Sequence, residues 1–104
     1  MSPDALTIRR LRAPDIASMR AVNALFGEVF EDLDSYAARP PDDDYLGRLL
    51  GRDSFIALAA WRGDEMVGAL APYELVKYER QRSEIYIYDL AVRAAFRRQG
   101  WRAR

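Results

Sequence analysis

A change of hydrophobic period near the middle of this chain constrains its fold more than any other feature. Before about residue 50, apolar side chains recur at steps of three and four; after it they fill short runs with the composition of strands. Residues 54–61 form a nearly continuous apolar run, which predicts a strand buried on both faces. Arg62-Gly63-Asp64-Glu65 reads as a turn into a long strand over 66–78, where Gly68 and Pro72 predict a bulge or bend. After the charged connection 77–82, Ser83–Val92 is a further strand, rich in Ile and Tyr. Connections this short join the three strands as an antiparallel meander.

The first half supplies the helices. Residues 6–11 read as a short strand. Ala13-Pro14-Asp15 then opens a helix, because proline suits the first turn and Asp complements the helix dipole. Ile16, Met19, Val22, Phe26 and Phe30, widened by Leu25 and Val29, give an apolar stripe about four turns long that is read as core. The acidic stretch 31–44, with Pro40-Pro41, is expected to be loop with one irregular turn around Tyr36. Asp42, Asp43 and Asp44 open a second short helix carrying Tyr45, Leu46, Leu49 and Leu50, which Gly51 ends. The order is β-α-α-β-β-β followed by a basic loop, an α/β (α+β) mixture without repeats or linkers.

Composition narrows the chemistry. The 104 residues, 50% hydrophobic and 31% charged, fit one soluble globular domain with a modest core. No apolar run is long enough for a membrane span, and no signal peptide is visible, so a cytoplasmic protein is expected. The chain has no His and no Cys, which excludes Ser-His-Asp and Cys-His catalysis, zinc fingers, His-based metal sites and disulfides. Carboxylates, Tyr, Lys77 or water are left for acid–base work. Sixteen basic residues balance sixteen acidic ones, which argues against nucleic-acid and membrane-surface partners. The balance is uneven along the chain. Between Glu28 and Asp44 there are seven acids and one base, Arg39, whereas Arg93 to Arg104 holds five Arg and no acid. The first segment suits a cation and the second an anion.

The end of the last strand is the most specific segment. Asp89-Leu90-Ala91-Val92 is followed by Arg93, Arg97 and Arg98 and closes on Gly100. A glycine there lets successive N–H groups point to one side, and arginine forks suit phosphate oxygens. The alternative is an Arg-rich solvated tail. Asp89-Leu90-Ala91-Val92 with Arg97-Arg98-Gln99-Gly100 resembles motif A of the GNAT acetyltransferases. Asp44-Tyr45-Leu46-Gly47, the run 54–60, Val67-Gly68-Ala69-Leu70 and the segment 82–92 resemble the aminoglycoside 3-N-acetyltransferases of that superfamily.

The resemblance implies a GNAT-like mixed sheet, acetyl-CoA as co-substrate without a metal, and an aminoglycoside antibiotic as acceptor. It implies that Asp89 and Glu84 bind the aminoglycoside with Tyr88, one acid accepting the proton directly or through water. Leu90, Ala91 and Val92 would pair with the pantetheine arm, and Arg97, Arg98, Gln99 and Gly100 would hold the pyrophosphate. Each residue keeps a plainer alternative. Asp89 could end a strand, Glu84 could pair with an Arg, and Tyr86 and Tyr88 could line the core or a groove. In strict alternation Asp89 lies opposite Glu84, Tyr86 and Tyr88, so both acids reach one site only through a bulge. After Gly100 the chain departs from the family, with Trp101 and Arg102 where small residues belong, and it ends at Arg104. A single acetyltransferase domain, incomplete at its C-terminus, is expected. Its exposed edge strand invites a homodimer, possibly with strands exchanged, or a non-catalytic domain that self-associates there.

Overall fold

The structure, a computed structural model, describes residues 5–36 and 38–96. Its elements in chain order are β1 (Leu6–Arg10), α1 (Ile16–Val29), α2 (Leu33–Tyr36), α3 (Asp43–Leu50), β2 (Leu58–Arg62), β3 (Glu65–Val76) and β4 (Ser83–Val92), then a 3-10 turn at Ala94–Phe96. The four strands form one sheet in the order β1-β2-β3-β4, each antiparallel to its neighbours.

Helix α1 begins where the sequence places it. Asp15 Oδ2 accepts the Arg12 N–H at 2.7 Å, and the Asp15 N–H returns a bond to the Arg12 carbonyl at 2.8 Å. That backbone donor, helped by Arg9 at 3.1 Å, holds the Asp15 carboxyl below its ordinary range against the opposing effect of burial. The helix buries Met19, Val22, Leu25, Phe26 and Gly27. Phe30 falls at the helix C-cap and is 39% exposed, so the apolar stripe leaves the core one turn earlier than its spacing predicts. It stacks on Phe26 with ring centroids 5.6 Å apart.

Beyond α1 the chain reverses. Glu31 adopts φ 53°, and the Asp32 N–H donates to the Gly27 carbonyl at 2.9 Å. Asp32 Oδ1 then accepts the Ser35 N–H at 3.2 Å, and the turn expected near Tyr36 becomes the one-turn helix α2. Asp42 caps α3 by accepting the Tyr45 N–H at 2.8 Å. Gly51 ends α3 as expected, but in right-handed conformation, φ −81°.

Helices α1 and α3 cover one face of the sheet. Phe26, Leu25, Leu46, Val22 and Leu11 are each at most 1% exposed, and Phe55, Ala57 and Ala59 meet them from the sheet side. The expectation that 54–61 is buried on both faces does not hold among the described residues. On the second face the cover is partial: Ala60 is 7% exposed, but Ile8 is 63% and Ile87 56%. The strand is also shorter than its apolar run. Pro72 has no N–H to give to a ladder, and the pairing is interrupted beside it. Phe55 makes an isolated bridge to Tyr73, while Ile56 donates to the Pro72 carbonyl at 3.0 Å.

Both expected irregularities of β3 are present. At Gly68, register passes from Ala60↔Gly68 to Trp61↔Met66, leaving Val67 as the extra residue. At Pro72, register passes from Ala71↔Asp89 to Pro72↔Ile87, leaving Tyr88 as the extra residue on β4.

Candidate active site

The bulge at Tyr88 builds the site. Two residues of β4 oppose one register step of β3, so Tyr88 and Asp89 both turn toward the helix side. Without it, alternation from Tyr86 would send Asp89 to the open face. The two side chains line a cleft of about 260 Å³ between the sheet, α2 and α3, together with Tyr36, Tyr45, Tyr73 and Arg39. The Tyr36 hydroxyl donates to Asp89 Oδ2 at 3.0 Å. Burial, reinforced by this bond, pushes the Tyr36 phenol up to about 12, so it stays protonated and remains a donor. Tyr73 meets Tyr88 edge-on at 6.0 Å and Phe55 at 5.0 Å. Burial, with smaller contributions from Tyr45, Tyr88 and Asp89, raises its phenol as well.

Asp89 is half-buried, and no Lys or Arg among the described residues forms an ion pair with it. Burying an ionised carboxylate without a counter-charge is costly. A half-buried acid in an aromatic cleft with one fixed neutral donor is a place where a cation is favoured. Arg39 lines the same cleft without pairing with Asp89.

Glu84 stands elsewhere. Alternation puts it on the face of Tyr86 and Tyr88, but five residues before Asp89, roughly 16 Å at the usual strand rise. It is bound to Arg82 at 2.6 Å, and Arg82 also holds Glu79 at 2.6 Å. The acidic stretch is largely committed to structure: Asp42 and Asp32 cap helices, Asp43 pairs with Arg20 at 2.6 Å, and Glu28 pairs with Arg93. Arg93, read as part of an anion-binding end, also donates Nε–H to the Met66 carbonyl at 2.9 Å.

Beyond Asp89, Ala91 is buried at 3% exposure against the helix side. Leu90 and Val92 line an apolar groove of about 350 Å³ on the open face, with Ile8, Leu58, Leu70 and Ile87. Arg97, Arg98, Gln99 and Gly100 lie outside the described residues. Of the tyrosines in the wall the sequence singles out Tyr88; Tyr36, Tyr45 and Tyr73 are not among its candidate site residues. Tyr36 lies in the acidic stretch, at the turn expected there, 53 positions from the carboxylate it binds. The local signals were the cap by Asp32 and the small residue at Gly27, against which Tyr36 packs.

The sequence matches no protein-family model and no curated protein. The fold is nonetheless that of the GNAT acetyltransferases. The chain is similar to the aminoglycoside acetyltransferase HMB0005 from an uncultured soil metagenomic sample, at 49% identity over 93% of this chain and 64% of that one, TM-score 0.90. It is also similar to the aminoglycoside acetyltransferase meta-AAC0020, of like origin and solved with sisomicin, at 35% identity over 91% and 60%, TM-score 0.80. A ribosomal-protein-alanine N-acetyltransferase from Brucella melitensis biovar Abortus 2308 shares the fold at 22% identity, covering 93% of this chain and 63% of that one, TM-score 0.65. The chain thus spans between 60% and 64% of the length of the two aminoglycoside acetyltransferases.

Proposed function

We propose that the chain carries the acceptor half of an acetyl-CoA-dependent aminoglycoside N-acetyltransferase. The observation that carries this reading is Asp89, a half-buried carboxylate without a described cationic partner, set by a bulge in a cleft of tyrosines. An aminoglycoside presents ammonium groups on sugar rings. The carboxylate suits the charge, and the faces of Tyr45, Tyr73 and Tyr88 suit the rings.

The residues present fit the pantetheine arm. Strand β4 has a single described neighbour, β3, so next to Asp89 the main chain of Leu90 and Ala91 borders an edge that can accept a strand-like partner. Val92 follows on the same strand and is assigned to the pantetheine arm by the motif, as Arg97, Arg98, Gln99 and Gly100 are to the pyrophosphate. Acetyl-CoA supplies an acetyl thioester, whose carbon the neutral amine attacks as the C–N bond forms and the C–S bond breaks. Asp89 holds the ammonium in place and takes its proton, directly or through a water, before attack. The second proton lost from nitrogen goes to the departing sulfur. Tyr88 packs beside the acceptor ring. Glu84, paired with Arg82, serves as an outlying acid that draws the polycation toward the cleft.

The 3-amine as acceptor, a role in antibiotic resistance and a cytoplasmic setting follow from the resemblance. Incubation of the chain with sisomicin and acetyl-CoA tests the reading through calorimetric binding and free-thiol release, and NMR of the product locates the acetylated amine. If sisomicin neither binds nor releases thiol, the proposal fails. A second reading is favoured by the apolar open face, where Ile85 is 57% and Leu90 40% exposed. In it the chain self-associates as a homodimer through β4, and sedimentation measures that directly.

A further inference from the structure

Asp89 would be a poor ligand if its carboxylate rotated freely, because an ammonium binds best to an acid already turned toward it. One side chain fixes it. Tyr36 Oη donates to Oδ2 at 3.0 Å, and among the described residues no other donor reaches the carboxylate. The ring carrying that hydroxyl is clamped. It lies 5.9 Å from both Phe26 and Phe30, tilted 56° against each. Its backbone is held by the Asp32 cap on α2 and by the bond from Ala38 N–H to the Leu33 carbonyl at 3.2 Å. Gly27 lets α2 approach α1 so closely that a Cβ there would sit 3.2 Å from Tyr36 Cβ. This is a large amount of fixed structure behind one hydroxyl.

We propose that Tyr36 is a positioning residue for Asp89, fixing Oδ2 so that Oδ1 meets the substrate ammonium in one orientation. The inference rests on the acetyltransferase reading of the cleft. Because the phenol is held near 12, the donor persists across the working range of the amine. The other charged or titratable groups facing Asp89 are Tyr45, Tyr73 and Tyr88 from α3 and the sheet, and Arg39 from the segment after α2. Asp32 acts on Tyr36 from the start of α2.

The test is calorimetric titration of the chain with sisomicin from pH 5 to 9 (wild type, Tyr36→Phe and Tyr36→Leu), with thermal midpoints recorded for each. Tyr36→Phe keeps the ring between Phe26 and Phe30 and removes only the donor. The expected result is binding about tenfold to a hundredfold weaker, the scale of one charge-assisted hydrogen bond. Its thermal midpoint stays close to that of wild type, so the loss is one of binding and not of folding. A tyrosine with a merely structural role would leave Tyr36→Phe binding like wild type and only Tyr36→Leu losing affinity; that pattern overturns the inference and leaves the proposed function standing. No binding by wild type at any pH overturns both.

Discussion

Gly27→Ala separates stability from function in this molecule. A Cβ at position 27 would meet Tyr36 Cβ at 3.2 Å and Leu33 Cδ2 at 3.3 Å. Leu33 is 62% exposed and its terminal methyl can turn away. Tyr36 Cβ is fixed to the α2 backbone and cannot, so α2 must move outward by about 0.3 Å to restore ordinary contact. That shift takes the Tyr36–Asp89 bond from 3.0 Å to about 3.3 Å, beyond the usual O–H···O range. Alanine in mid-helix gains about 1 kcal/mol over glycine, and overpacking costs about 1–2 kcal/mol. The net change is a loss of no more than about 1 kcal/mol, or about 4–8 °C in thermal midpoint for a domain of this size. Sisomicin affinity, measured by calorimetry, falls severalfold. A midpoint raised by about 5 °C with affinity intact would refute the reasoning, because it would show that the close contact relaxes without displacing Tyr36.

Three further outcomes are expected. Asp89→Asn removes the cleft's acid and lowers sisomicin affinity at least about thirtyfold, the scale of a lost buried charge pair, while the thermal midpoint changes little. Asp42→Ala removes the α3 cap and lowers stability in urea by about 1 kcal/mol. Tyr36 keeps its proton to about 12 when folded and releases it near 10.0 when unfolded. Between those values the unfolded chain binds fewer protons, so its contribution to stability is lost as pH rises from 10 to 12. Tyr36→Phe removes that part of the alkaline slope, which urea titrations across the same range detect.

The bonds that could be read in advance are short-range ones. Asp42 caps α3 and Asp15 closes the turn that leads into α1, because a carboxylate three residues from an amide can reach it without knowledge of the rest of the fold. Strand β4 has the bounds its Ile and Tyr run gives, and the meander follows from connections too short for crossovers. Phe30 left the core because periodicity carries no information about where a helix stops. The open second face of the sheet was misread because an apolar run records that a face is to be covered, not what covers it.

The candidate site divides in the same way. Asp89 could be singled out because it lies at the start of a recognisable motif. Tyr36 could not, since its partner is 53 residues away and an acidic stretch reads as solvated surface. Sequence by itself determined the elements, their antiparallel order and the break at Pro72, because these depend on neighbours in the chain and on a missing N–H. Only the tertiary structure decided which residue the break would leave unpaired. Register is settled by packing β3 and β4 together under α1, and that choice left Tyr88 out of the ladder. It thereby turned Asp89 toward the tyrosines, a consequence that no local rule contains because a shift of one residue moves a side chain to the opposite face.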